Sequence, residues 1–179
     1  MIVNFSNLID VLKSDKIAVI PTDTIYGLVA CAKSSLAVKK VYFAKKRNPA
    51  KPCIILIDCP EIIVEFGINS KWLDLTSKYW PGPFSLIFPT ERSDLGYLDC
   101  GTKTLAFRMP DNKDLLSLIA RTGPIIAPSA NPEGLPPAQN INQAKKYFET
   151  EVDMYIDGGL INNYAPSTII DMRDQSKIR

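Results

Sequence analysis

Residues 16–28 read KIAVIPTDTIYGL, and the first half of that stretch decides the fold. Ile17 to Ile20 is a short apolar, β-branched run closed by Pro21, which reads as a buried strand. Upstream, Phe5, Leu8, Ile9 and Leu12 recur at helical spacing, so a helix feeds the strand. Beyond the strand, Thr22 and Thr24 bracket Asp23 ahead of an aromatic and a glycine. Hydroxyls and a carboxylate delivered at a strand's end are what ligand sites of α/β folds are built from.

Working outward, the apolar period keeps changing. Val38, Val41, Tyr42 and Lys45 lie on a helix ending near Arg47, because Asn48-Pro49 and Lys51-Pro52 disfavour helical backbone before each proline. CIILI (53–57) is a second buried strand. PEIIVEF and SKWLDLTSKYW read as two short helices, the second capped by Ser70, and the PGP turn (81–83) leads into the strand FSLIF. Residues 104–109 alternate as a strand, and Leu115, Leu116, Leu118 and Ile119 form a helix opened by PDNKD. PIIAP, DMYID and STIID complete the strands, with a helix over about 141–148 between the first two. The expectation is an α/β fold, a twisted open mixed β-sheet with flanking helices, as a single domain over residues 1–179. No repeat, low-complexity segment or linker interrupts it.

Composition removes several kinds of chemistry. Histidine is absent, which excludes Ser-His and Cys-His nucleophiles and imidazole acid–base catalysis. Cys31, Cys53, Cys59 and Cys100 contain no C-x-x-C pair, so reduced, mostly buried thiols are expected, and no metal site. No window reaches the roughly 18–20 apolar residues of a membrane span, and the N-terminus lacks a signal peptide's basic start, so the expected location is cytoplasmic. Lys and Arg number 21 against 19 Asp and Glu. That balance implies no nucleic-acid partner by itself, so the placement of the cations matters.

Four places set polar residues directly after an apolar element: PTDTIYGL, AKKRNPAKP, PSANPEG and APSTIID. Taken singly, Asp23 reads as the acceptor of an Asx-turn, and Lys45, Lys46, Arg47 and Lys51 as cations complementing a helix C-terminus. Ser129, Asn131 and Ser167 read as ordinary turn or strand-start residues. Together with VYFAKKRNPAKP (41–52), WPGPFSLIF (80–88) and TLAFRMPD (104–111), in this order, the chain resembles the YrdC-like family, the threonylcarbamoyl-AMP synthases. The resemblance runs from about Lys16 to the end, with K-x-R at Lys45 and Arg47 and S-x-N at Ser129 and Asn131.

The resemblance implies a sheet surrounding a large electropositive cavity. It also implies a reaction in which L-threonine, bicarbonate or CO2, and ATP give threonylcarbamoyl-AMP and pyrophosphate. A separate threonylcarbamoyl transferase complex then modifies the adenosine at position 37 of tRNA. By resemblance, Lys45 and Arg47 are catalytic and bind ATP together with Lys51, Thr104, Ser129, Asn131 and Arg179, while Thr24, Arg108 and Ser167 bind L-threonine. Mg2+ is expected to be held mainly by the nucleotide phosphates. The chemistry suits a chain without histidine: threonine carbamate is already an anionic nucleophile, and the transition state needs cations and alignment more than a base. Arg108 ends the strand TLAFR as a guanidinium fork suited to a carboxylate, and Thr104 shares its strand face at i and i+4.

This chain also departs from the family pattern. Asp23 stands where Glu is common, Leu56 where many members have histidine, and Glu133 and Pro137 replace hydroxyls after S-x-N. The length matches the short architecture, without the additional C-terminal domain of longer members. Two other readings are a paralogue with another carbamoyl substrate and a factor binding double-stranded RNA, tRNA or the maturing ribosome. The first is opposed by the complete K-x-R and S-x-N set and by the missing zinc-finger and acylphosphatase segments. The second is opposed by the even charge balance and by aromatics not interleaved with a basic stripe.

Overall fold

The computed structural model describes residues 6–161 and 166–179; Phe5 and Ala165 lie outside the described residues. In chain order the elements are α1 (Ser6–Lys13), β1 (Ala18–Pro21), β2 (Tyr26–Cys31), α2 (Ser35–Lys45), β3 (Ile54–Leu56), α3 (Leu73–Thr76), β4 (Phe84–Pro89), α4 (Gly96–Asp99), β5 (Thr104–Arg108), α5 (Lys113–Thr122), β6 (Ile125–Ile126), α6 (Ile141–Phe148), β7 (Met154–Tyr155), β8 (Thr168–Asp171) and β9 (Ser176–Lys177). Among the described residues nine strands form one sheet in the order β7-β1-β2-β6-β3-β5-β4-β8-β9. The expected mixed α/β sheet is present: β1/β7, β3/β5 and β4/β8 are parallel, and the other five pairings antiparallel.

Three details differ from the sequence reading. YGLVAC, read only as part of a site motif, is the strand β2. PEIIVEF is a 3-10 helix, and SKWLDLT is a 3-10 turn running into α3. The cap there is Asn69, whose side chain accepts from the Lys71 amide at 3.0 Å, because an Asn one residue earlier reaches that amide and so displaces Ser70.

Period-two alternation divides the core. Ile17, Val19, Leu28, Ala30, Ile55, Leu86, Phe88, Leu105, Phe107 and Ile126 pack into a large cluster that also holds Val38, Val41 and Phe66. Their strand neighbours Ala18, Ile20, Val29, Leu56 and Ile125 point to the opposite face, where Leu8 and Leu12 of α1 and Leu115, Leu118 and Ile119 of α5 cover them. That cover extends over β1, β2, β6 and β3. Further along the same face, over β5, β4 and β8, the sheet is not packed by these helices. Thr104, Ala106 and Arg108 of β5, Ile87 of β4 and Ile169 of β8 there line a cavity of about 440 Å³. Opening of the second layer over half the sheet is what creates the site.

Candidate active site

The cavity is walled by segments that leave strands or helices. The β1–β2 turn contributes Thr22, Thr24 and Ile25, and β2 contributes Gly27; the segment after α2 contributes Arg47, Pro52 and Cys53; the segment after β6 contributes Ala127, Pro128 and Ser129. Ser167 and Arg179 close it beyond β4. Its volume lies within the usual range for small-molecule sites, roughly 300–1,000 Å³. The lining holds three guanidinium groups and a ring of hydroxyls, and among the described residues it holds no Asp or Glu side chain.

Thr22, not Asp23, makes the β1–β2 turn. Its hydroxyl accepts from the amides of Thr24 and Ile25, both at 3.2 Å, and donates to the Ile25 carbonyl at 2.6 Å. The Asx-turn reading of Asp23 is therefore corrected. With the turn already satisfied, the Asp23 carboxylate reaches across to β5 and accepts from Arg108 Nη1 with both oxygens, at 2.8 and 2.7 Å. The two side chains are only 11% and 5% exposed. Among the described residues Nη1 is the one Arg108 nitrogen with a protein partner, so the Nε–Nη2 edge remains for a ligand.

Arg47 is held by its backbone surroundings. Its Nε donates to the Lys51 carbonyl at 3.1 Å, its Nη2 to the Pro52 carbonyl at 3.0 Å, and its charge sits 5.9 Å from the Tyr42 ring centre. Ser167 Oγ pairs with Ser85 Oγ at 2.7 Å, and Arg179 reaches the Ser167 carbonyl through Nε and Nη2 at 3.4 and 3.3 Å.

Thr24, Arg47, Thr104, Arg108, Ser129, Ser167 and Arg179 are thus brought together around one cavity. Lys45, Lys51 and Asn131 are not. The Lys45 side chain is buried, and its amine donates to the carbonyls of Ser129 and Asn131 behind the wall, so it does not line the cavity as the resemblance implies. Asn131 is spent on its own loop, donating through Nδ2 to the carbonyls of Pro132 and Leu135 at 2.9 and 2.7 Å. Lys51 pairs with Glu133 at the rim. Leu56 packs in the α1/α5 core and does not line the cavity; Ile54, two residues earlier, does. The departure from the family pattern at Leu56 therefore falls on a packed position.

Sequence reasoning missed Thr22 and Ser85. The signal for Ser85 was a lone hydroxyl inside the apolar FSLIF, fully buried here. It also missed Glu133 as a latch: one oxygen takes Lys51, the other the Asn48 amide at 2.5 Å. The Lys51 ammonium, and next the Asn48 amide, hold the Glu133 carboxyl below the usual carboxylate range. The latch is therefore complete above that range and lost as pH falls below it. Glu133→Gln is expected to leave the melting temperature nearly unchanged, since the pair is solvated. With ATP as the ligand expected from the sequence resemblance, the variant should lower the KM for ATP roughly two- to fivefold by freeing Lys51 and removing a rim anion. An unchanged or raised KM would mean that Lys51 does not reach the nucleotide.

No cluster of three or more His, Cys, Asp or Glu side chains suited to a metal ion occurs among the described residues. Asp23, between the lining residues Thr22 and Thr24, is engaged by Arg108. The residues present do not form a protein ligand set for Mg2+. No helix among the described residues is long and apolar enough to cross a membrane.

The Sua5/YciO/YrdC family, described as "Telomere recombination", matches residues 10–179. A Bacillus subtilis protein named threonylcarbamoyl-AMP synthase is 35% identical over 167 residues, covering 91% of this chain and 48% of that protein. A Stutzerimonas stutzeri protein of the same name is 28% identical over 172 residues, covering 94% and 92%. The crystal structure of Pyrococcus abyssi Sua5 complexed with L-threonine superposes with a TM-score of 0.84 at 31% identity, covering 96% of this chain and 51% of that one. The chain therefore spans about half the length of the B. subtilis and P. abyssi proteins it matches.

Proposed function

The chain belongs to the Sua5/YciO/YrdC family, and from that premise we propose that it is a threonylcarbamoyl-AMP synthase. It joins L-threonine, bicarbonate or CO2, and ATP into threonylcarbamoyl-AMP with release of pyrophosphate. The observation that carries this reading is a cavity lined by Arg47, Arg108 and Arg179, with hydroxyls from Thr24, Thr104, Ser129 and Ser167 and no Asp or Glu side chain in the lining among the described residues. Such a wall suits two anions that must be held together, a triphosphate and a carbamate.

In this mechanism the amine of threonine adds to CO2, losing a proton to give a carbamate. A carbamate oxygen attacks the α-phosphorus in line, and the bond to the bridging oxygen breaks to release pyrophosphate. Arg47 and Arg179 neutralise charge growing on the leaving phosphates, with Lys51 joining once released from Glu133. Arg108 presents its Nε–Nη2 edge to the threonine carboxylate while Asp23 fixes the opposite nitrogen, and Thr24 and Ser167 flank the amino acid. Mg2+ arrives on the triphosphate, and no step here is assigned to it. The product is an activated acyl phosphate that calls for a prompt acceptor. The proposal therefore places the protein in the cytoplasm, upstream of a transferase complex that modifies adenosine 37 of tRNA.

The test is pyrophosphate release from ATP with Mg2+, bicarbonate and L-threonine, omitting one component at a time, with the adenylate identified by mass spectrometry. Release that requires both threonine and bicarbonate is expected. ATP binding without threonine-dependent release would overturn the reading in favour of another carbamoyl substrate.

A further inference from the structure

Lys45 is the last residue of α2, and its side chain is among the largest fully buried ones in the molecule. Its amine donates to two neutral acceptors, the carbonyls of Ser129 and of Asn131, the latter at 2.6 Å. Burying an ammonium against carbonyl dipoles, without a carboxylate as partner, costs free energy that an apolar side chain of the same length would not. Folding stability therefore does not explain the residue. The segment it holds does. Ser129 lines the cavity, and its neighbours are tied to β2 on the other side: the Ala130 amide donates to the Tyr26 carbonyl at 2.8 Å and the Pro128 carbonyl accepts from Leu28 at 2.9 Å. The Asn131 carbonyl belongs to a peptide with Pro132, which has no N–H to offer. Asn131 Oδ1 is a buried acceptor with no hydrogen-bond partner among the described residues, so within these the loop is not fixed by its own side-chain oxygen.

We propose that Lys45 is a positioning residue, which sets the Ser129 wall for the anionic nucleotide from behind, through the carbonyls of Ser129 and Asn131, and does so as an ammonium. The inference rests on the nucleotide-binding part of the function proposed above and replaces a direct phosphate contact with an indirect one. It draws the two carbonyl oxygens away from a site meant for phosphate, and it adds a positive charge that no ligand has to desolvate.

Burial, and next the charge of Arg47, pull Lys45 down from the ordinary lysine range to about 8; Cys53 and Glu133 face it and act the other way. An unfolded lysine stays charged to well above that pH. Ionising Lys45 therefore burdens the folded state fully below pH 8, and that burden is relieved as pH rises from 8 to the ordinary lysine range. Positioning and stability must move in opposite directions across one interval, which a merely structural lysine would not produce.

The experiment is calorimetric titration with ATP from pH 6.5 to 9.5 on the wild type, Lys45→Met and Lys45→Gln, with thermal denaturation of each over the same range. Lys45→Met is expected to weaken ATP roughly tenfold at pH 7 and to abolish the alkaline loss of affinity that the wild type shows near pH 8. Lys45→Gln, which keeps neutral donors, should bind ATP between the two at pH 7 and also without an alkaline limb. The wild type should gain stability relative to Lys45→Met as pH rises through 8. A folded Lys45→Met or Lys45→Gln protein with wild-type ATP affinity, or with the alkaline limb intact, overturns the proposal. Pyrophosphate release separates the two readings: a wild type that binds ATP but never turns over with threonine defeats the synthase assignment and leaves the ATP titration to decide the role of Lys45.

Discussion

Arg108→Ala loses about 3–5 kcal/mol of folding stability, the cost of leaving one member of a buried ion pair without its partner. Both oxygens of Asp23 rest on one nitrogen of Arg108, and the two side chains are 11% and 5% exposed. The carboxylate has no comparable alternative once the guanidinium is gone. Urea denaturation measures the loss. Asp23→Asn combined with Arg108→Ala should recover a large part of it, because the orphaned charge disappears with its partner. At a temperature where the single variant stays folded, the KM for threonine should rise far more than the KM for ATP. A loss under about 1 kcal/mol would mean that water reaches the pair and that its role in shaping the cavity is minor.

Arg47→Ala has the largest expected effect on turnover, a fall of roughly 10²- to 10³-fold, or about 2.7–4 kcal/mol of transition-state stabilisation. The guanidinium is preset by the Lys51 and Pro52 carbonyls and by Tyr42. It therefore meets the developing charge with little rearrangement. Its partners are carbonyls near the rim, so melting should stay close to wild type. Pyrophosphate release by a folded Arg47→Ala protein at near wild-type rate would remove Arg47 from the mechanism.

Much of this site was legible because it rests on short-range rules. Alternation along β5 puts Thr104 and Arg108 on one face, and both line the cavity. Proline after Asn48 and after Lys51 ends α2 where the sequence predicts, within two residues. What was not legible depends on contacts between distant residues. Asp23 and Arg108 lie 85 positions apart, and nothing local distinguishes an aspartate that closes its own turn from one whose turn is closed by Thr22. Lys45 carries a motif's lysine, yet the direction of a side chain at the last turn of a helix is set by what packs beside it, here the Ser129–Asn131 backbone. β2 escaped because its residues are apolar on both faces, which removes the alternation that marks a half-exposed strand.

The strand order has a kinetic meaning. β1 lies between β2 and β7, and β4 between β5 and β8, so the sheet closes through pairings such as Ala18 with Met154 and Ser85 with Ile169. Topologies dominated by such distant contacts fold slowly, because loop entropy is lost before the contacts reward it. Arg47, Arg108 and Ser129 are set by β2, β6, β3 and β5, which pair with one another without β8, whereas Arg179 joins them only once β8 has docked on β4. Under the proposed function, nucleotide held by Arg179 together with Arg47 therefore selects the chain in which that docking has been made. By mass action, ATP binding as proposed would then stabilise the β4/β8 docking in a newly made chain.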